Sequence, residues 1–312
     1  MRCMEAASYD RDGRKQDMIL HNQTYTSEEI GQYLQELARQ YTNFVIFRAA
    51  GISHDNRPLP MIRIGLGIDS LVLTAGIHGQ ESVNPVILTM MAEEYCKAYA
   101  ENTTIGNYPV RDFLNRCSLI ILPLMNPDGY EIAREGFHCI KNPVLRQKCK
   151  MQGTDSTLWK YNARCVDLNC NFPGKTYKPQ QLGEYPASEP ETQALIKVFD
   201  EYETISYLDF HSRGRIICYC RQAMPFTYSK RNHRLARFMK KISDYSLERQ
   251  EEESDMVKSG GSPVNYYSQL LGKPALLVET LKNNTFYPMA QENQERTYQE
   301  IRTMPLEIIN KT

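Results

Sequence analysis

Leu71-Val72-Leu73-Thr74-Ala75-Gly76-Ile77, followed directly by His78-Gly79-Gln80-Glu81, is the stretch on which the reading of this 312-residue chain turns. Its first seven residues form an apolar run of strand length, and the polar tetrapeptide breaks that run with two metal-competent side chains three positions apart. Delivered by the end of a buried strand, an imidazole and a carboxylate at this spacing converge on one ion if the chain turns there, so zinc is the first expectation. An H-x-x-E tetrapeptide also occurs by chance on surface helices, and the rest of the chain has to supply the remaining parts.

A second apolar run, Ile205-Ser206-Tyr207-Leu208-Asp209-Phe210, ends in His211-Ser212-Arg213-Gly214. A neutral imidazole at the mouth of another strand supplies a third ligand. Two His and one carboxylate, with a fourth position left for water, is the ligand count of catalytic rather than structural zinc. A third run, Lys273-Pro274-Ala275-Leu276-Leu277-Val278-Glu279-Thr280, finishes a buried strand on an ionisable residue. A carboxylate there is costly unless it has a task, and general base toward a water activated by the metal is such a task. The expected centre is one zinc ion on His78, Glu81 and His211, with Glu279 as the base.

Outward from these runs, strands and helices alternate. Thr26 followed three residues later by Glu29 is a capping box, opening a helix to about Gln40 with Ile30, Tyr33, Leu34 and Leu37 at helical spacing. Phe44 to Arg48 and Pro60 to Ile64 are expected strands on either side of the turn residues His54-Asp55-Asn56-Arg57-Pro58. Ser118 to Leu124 is another apolar strand, and Asn126-Pro127-Asp128-Gly129 after it is a turn signal. Helices are expected over 84–99, 189–202, 229–247, 262–271 and 292–309, and residues 130–185, rich in Pro, Gly and Asn, as a long functional loop. The alternation implies an α/β fold: a single-domain mixed, largely parallel twisted sheet with helices on both faces and ligands at the carboxyl ends of its strands. Residues 1–24 are expected to be a polar segment and 25–312 the domain itself.

The order His78-x-x-Glu81, His211, Glu279 resembles the zinc metallocarboxypeptidase family, the carboxypeptidase A superfamily. Further matching motifs are Asn126-Pro127-Asp128-Gly129, Val166-Asp167-Leu168-Asn169 before Asn171-Phe172-Pro173, Ser188-Glu189-Pro190-Glu191-Thr192, and Ser259-Gly260-Gly261-Ser262. The resemblance runs from about Tyr25 to the C-terminus and implies a carboxypeptidase-like fold and a peptide substrate. It implies that Lys160, with Arg164 as a second cation, replaces the Arg that polarises the scissile carbonyl, and that Asn169 bonds substrate near the cleaved bond. Carboxypeptidases proper grip the terminal carboxylate with an Arg where this chain has Cys170, and a thiol cannot make that fork. Met256 falls where such enzymes carry a substrate-capping Tyr, with Tyr266 and Tyr267 nearby.

Loss of the clamp, together with Trp159-Lys160-Tyr161-Asn162-Ala163-Arg164-Cys165-Val166-Asp167-Leu168-Asn169, resembles the bacterial γ-D-glutamyl-diamino acid peptidases. The implied activity is zinc-dependent hydrolysis of a muropeptide at γ-D-glutamyl-meso-diaminopimelate. An ordinary metallocarboxypeptidase and an inactive peptide-binding relative are the alternatives. Arg213 and Arg215 are then expected to meet substrate carboxylates. Asp209, two residues before His211 on one strand face, and Asp167 are rival partners for a ligand imidazole, and the sequence leaves that choice open.

Composition narrows the other classes. Lys plus Arg and Asp plus Glu number 37 each, so no global field favours nucleic acid or an anionic bilayer. No apolar run reaches the ~20 residues that span a membrane, and Met1 to Gln23 is too charged for a signal segment, so a cytoplasmic location is expected. Nine cysteines without a C-x-x-C pair point to mainly reduced thiols, and Cys139 and Cys149, which flank a basic loop and could bridge, are expected to stay reduced. Cys218 and Cys220 share a strand face and are expected to pack, while His21, His54, His138 and His233 are expected at the surface.

Overall fold

Leu71, Val72 and Leu73 are completely buried, because the strand that holds them, Asp69–Ala75, lies in the middle of an eight-stranded sheet. In the computed structural model, which describes residues 22–175, 177–219, 224–248 and 261–312, the strand order is Val45–Ile52, Pro58–Ile64, Cys117–Leu122, Asp69–Ala75, Thr204–Ser212, Ala275–Thr280, Ile216–Cys218 and Ser246–Leu247. The inner strands from Cys117–Leu122 to Ala275–Thr280 are mutually parallel, and Pro58–Ile64 and Ile216–Cys218 run antiparallel to their inner neighbours. Parallel strands are covered on both faces and therefore read as continuous apolar runs; every residue of Cys117–Leu122 is buried.

Alternation along the strands sorts side chains into two cores. Leu71, Leu73 and Ala75 pack with Leu208, Phe210 and the helices Ser27–Gln40, Val83–Glu101 and Met304–Lys311. Val72, Ile120, Leu122 and Tyr207 pack on the opposite side with Leu195, Val198 and Phe199 of the helix Pro190–Glu201. A smaller third core gathers Ile132, Ile140, Cys149, Trp159 and Ala163 beneath the long connection after Cys117–Leu122. No described helix is long and apolar enough to cross a membrane.

The first helix starts as its capping box dictates: Thr26 Oγ1 accepts from Glu29 N at 3.0 Å and Glu29 Oε2 accepts from Thr26 N at 2.7 Å. Elsewhere the boundaries differ from the periodicity. Residues 130–185 are not one loop, since helices occupy Pro127–Glu135 and Pro143–Lys150. Asn126 and Asn142 cap them and a proline sits in each first turn, so what reads as turn chemistry is helix initiation. The helix expected over 292–309 is two, Asn293–Ile301 and Met304–Lys311, the second again with proline in its first turn. The helix expected over 229–247 spans Phe226–Ser243, and Ser246–Leu247 leaves it to pair with Ile216–Cys218. The segment expected as helix over 262–271 is one α turn, Pro263–Asn265, running into a π-helical turn, Tyr266–Leu270.

Candidate metal centre

The carboxyl ends of three inner parallel strands carry the chemistry. His78 follows Ala75 by three residues, while His211 and Glu279 occupy the last turns of extended chain in Thr204–Ser212 and Ala275–Thr280. Glu279 is the register partner of His211, so both side chains leave the sheet on one face. Thr74 and Asp209 are register partners on that same face.

Backbone approach positions the loop that holds His78. A Cβ on Gly79 would lie 2.3 Å from the Gly129 carbonyl and 2.8 Å from Trp159 O, and one on Gly129 would lie 2.3 Å from Tyr161 O. Only glycine permits three chain segments to touch in this way. Gly79 N donates to Lys160 O at 3.3 Å, and Asn126 Nδ2 donates to Ile77 O and Tyr161 O, both at 3.1 Å. On the other side Asn84 Nδ2 donates to His211 O at 2.7 Å, and Thr280 Oγ1 donates to Asn84 Oδ1 at 2.9 Å. Buried Asn84 and Thr280 thus tie the helix Val83–Glu101 to both site strands.

His78, Glu81 and His211 offer ligand atoms that all lie within 4.8 Å of one another. His78 Nδ1 is 2.7 Å from Glu81 Oε1 and His211 Nδ1 is 3.4 Å from Glu81 Oε2, so both rings turn the same nitrogen toward one carboxylate. Their other nitrogens are taken: His78 Nε2 by Asp167 Oδ1 at 3.2 Å, His211 Nε2 by Asp209 Oδ2 at 3.1 Å. Both aspartates between which the sequence could not choose therefore serve, one on each ring. Asp209 is itself fixed by Thr74 Oγ1 at 2.6 Å, and Asp167 accepts from Lys160 Nζ at 2.6 Å.

The electrostatics follow from this packing. Burial opposes a charged imidazole, yet the Glu81 and Asp167 carboxylates outweigh it and raise His78 to about 9. Against the same burial, Asp209 and Glu81 raise His211 well above its ordinary range. Burial also opposes the Glu81 carboxylate, but the two imidazoles hold it down at about 2. With both imidazoles neutral, three carboxylates face one ammonium, a surplus that a divalent cation balances. Two imidazoles with carboxylates on their far nitrogens, plus one ligand carboxylate, fit zinc in donor type and in tautomer control. Asp209→Asn is expected to weaken zinc binding 10- to 100-fold, a range typical of such supporting carboxylates, as read by chelator competition; unchanged affinity would remove Asp209 from this role.

The other expected site residues divide. Lys160 stands beside the cluster through Asp167. Asn169 donates its backbone N–H to Asp167 Oδ1 at 3.0 Å, and its side-chain Oδ1 is buried with no hydrogen-bond partner. The Arg213 guanidinium donates to Thr285 O and lies 5.4 Å from the Tyr287 ring centroid. Tyr287 was not singled out by sequence: its hydroxyl donates to Ser212 O at 3.0 Å, and burial, then Glu81, then Glu279 push its phenol upward. Its aperiodic loop carries no local signal. Arg164 is drawn instead to Glu189 at 3.4 Å, in a neighbouring cluster, and Arg215 to Glu300 and the Tyr245 ring. Tyr266 and Tyr267 are buried in the core with Phe172 and Phe199, and Met256, Ser259, Gly260 and Cys220 lie outside the described residues.

His54, Glu189 and Glu191 form a second group of close donors. Contrary to expectation His54 is largely covered, its Nε2 lying 2.9 Å from Glu189 Oε2. Glu189 is already engaged by His54, by Asn162 at 2.7 Å, by Ser188 at 2.7 Å and by Arg164, which marks a loop-holding network. Burial raises the Glu191 carboxyl to about 7 despite the opposing influence of His54. From its ordinary 4.5 up to about 7 the native state therefore keeps a proton that the unfolded chain has released, and stability falls as pH rises through that window. Glu191→Gln is expected to remove this slope, gaining about 2 kcal/mol over the parent on going from pH 5 to pH 8 in urea unfolding; an equal slope in both proteins would contradict it.

Two imidazoles and a carboxylate converging at the carboxyl edge of this sheet define a candidate metal centre. The model of the zinc carboxypeptidase family matches residues 30–307, and the chain belongs to that family. It is 29% identical over 175 residues to "Gamma-D-glutamyl-L-diamino acid endopeptidase 1" of Lysinibacillus sphaericus, an alignment covering 52% of this chain and 44% of that protein. The matches span between about a quarter and a half of the length of the curated relatives. Its fold is similar to bovine thrombin-activatable fibrinolysis inhibitor, with a TM-score of 0.74 at 17% identity over 93% of this chain and 97% of that one. It is also similar to murein-tripeptide amidase of Escherichia coli O157, with a TM-score of 0.52 at 19% identity over 84% of this chain and 91% of that one.

Proposed function

We propose that this chain is a zinc-dependent peptidase that hydrolyses an amide bond in a peptidoglycan-derived peptide, between γ-D-glutamate and meso-diaminopimelate. The observation that carries the chemistry is the convergence of His78, Glu81 and His211 beside a glutamate in register with His211. When bound, the ion supplies Lewis acidity, polarising a carbonyl and making water a better nucleophile. Glu81 and the two imidazoles hold it, and Asp167 and Asp209 keep those imidazoles in the ligating tautomer. Glu279 takes the proton of the attacking water and returns it to the leaving amine. Lys160 places a cation for the charge that develops on the carbonyl oxygen.

Substrate choice rests on other residues. Cys170 in place of a bidentate cation argues against capture of a plain C-terminal carboxylate. Arg213, beside Tyr287, offers a guanidinium to a carboxylate elsewhere on the peptide, and the buried Asn169 Oδ1 accepts from a substrate N–H. The names of the Lysinibacillus relative and of the Escherichia coli structure point the same way. The test is to incubate zinc-loaded protein with L-alanyl-γ-D-glutamyl-meso-diaminopimelate and with an N-blocked dipeptide bearing a free C-terminus. Release of diaminopimelate is expected. Cleavage of the dipeptide alone overturns the substrate, and cleavage of neither by protein that retains zinc overturns the activity in favour of a peptide binder.

A further inference from the structure

The third core beneath the Lys160 loop gathers three thiols, Cys139, Cys149 and Cys165, of which the last two form a pair that the hydrolytic reading leaves unused. Cys149, in the last turn of Pro143–Lys150, is completely buried, and its sulfur lies 3.9 Å from that of Cys165. Cys165 is half-buried and sits at φ 66, a left-handed conformation uncommon for any residue with a Cβ outside Asn, Asp and His. A glycine would take that conformation freely, so a side chain is held here against the preference of the backbone. Lys148 brings its ammonium close, donating to Arg164 O at 2.8 Å and to Gln181 Oε1 at 2.9 Å.

The two thiols are unlike. Cys149 is completely buried and donates to Ala163 O at 3.3 Å, whereas Cys165 reaches the surface and donates to the Cys149 sulfur. Two other thiols are kept protonated by burial, Cys139 pushed up to about 11 and Cys117 up to about 12. A partly exposed thiol near an ammonium, with a second, buried thiol behind it, is the arrangement of an attacking and a resolving cysteine.

We propose that Cys165 and Cys149 are a peroxide-reactive pair that closes a reversible disulfide across the base of the Lys160 loop. The Cys165 thiolate attacks a hydroperoxide oxygen; the O–O bond breaks, water or an alcohol leaves, and a sulfenic acid remains. Cys149 then attacks the Cys165 sulfur, its proton departs with the hydroxyl as water, and the S–S bond forms. Two thiols are oxidised and one hydroperoxide is reduced. The sulfurs approach from 3.9 Å to about 2.05 Å, which joins a helix end to a point two residues before Asp167. Asp167 holds both His78 and Lys160, so closure fixes the span that presents them.

The test treats the zinc-loaded full chain with hydrogen peroxide, blocks residual thiols with iodoacetamide and maps the peptides. A Cys149–Cys165 cross-link reversed by dithiothreitol is expected, with Cys165 alkylated at least about tenfold faster than Cys139 before oxidation. Cys149→Ser should leave Cys165 as a dimedone-reactive sulfenic acid, and Cys165→Ser should leave Cys149 unmodified. A cross-link between other cysteines, or Cys165 alkylating no faster than Cys139, overturns the proposal.

Discussion

Glu279→Gln is expected to lower kcat by about 10³-fold while leaving bound zinc and KM close to those of the parent. The substitution keeps volume and hydrogen-bonding capacity but removes the proton acceptor. Because Glu279 stands in register with His211 on the neighbouring parallel strand, it is held by two strands rather than by a loop, and an amide there is not expected to disturb the metal ligands. General bases of this kind contribute about 10²- to 10⁴-fold, and no second carboxylate of the cluster is available to replace it, since Glu81, Asp167 and Asp209 all face imidazoles. Steady-state kinetics with metal analysis on the same preparation checks this. Activity within tenfold of the parent, at equal zinc, would assign the proton transfer to another group.

His211→Ala is expected to abolish zinc binding and, with it, measurable activity. It removes one of three donors and exposes a structural debt as well: Asp209 is completely buried, and without the imidazole its carboxylate loses the one cationic or ring partner at 3.1 Å and is left with the hydroxyls of Thr74 and Tyr207. Breaking a buried charge pair from one side destabilises by about 3 kcal/mol or more. The two losses separate in one experiment. Urea unfolding of the parent should shift to higher denaturant when zinc is added, by mass action on the native state, whereas the variant should start lower and not respond. A variant that still gains stability from zinc would show that the ion sits elsewhere.

The residues of the centre were legible where the signal is local. His78, Glu81, His211 and Glu279 each follow an apolar run, and an ionisable side chain at the end of such a run stands out in one dimension. Their supporting partners were legible only as candidates: Asp209 stands two residues from His211 on one strand face, but which ring each aspartate serves is a tertiary property, Asp167 reaching His78 across 89 positions of sequence. Tyr287 was missed for the same reason. Among the elements, Asn126 and Asn142 illustrate a different failure, in which an Asn-Pro step reads equally as a turn or as the first turn of a helix; packing of Ile132 and Tyr130 decides for the helix.

The contact between Gly79 and Gly129 sets a rule for anyone who redesigns this protein. Because the chain at 79 touches backbone at both 129 and 159, the ion-binding turn and the two segments walling it move as one piece, and a methyl group added at either glycine would pry all of them apart together.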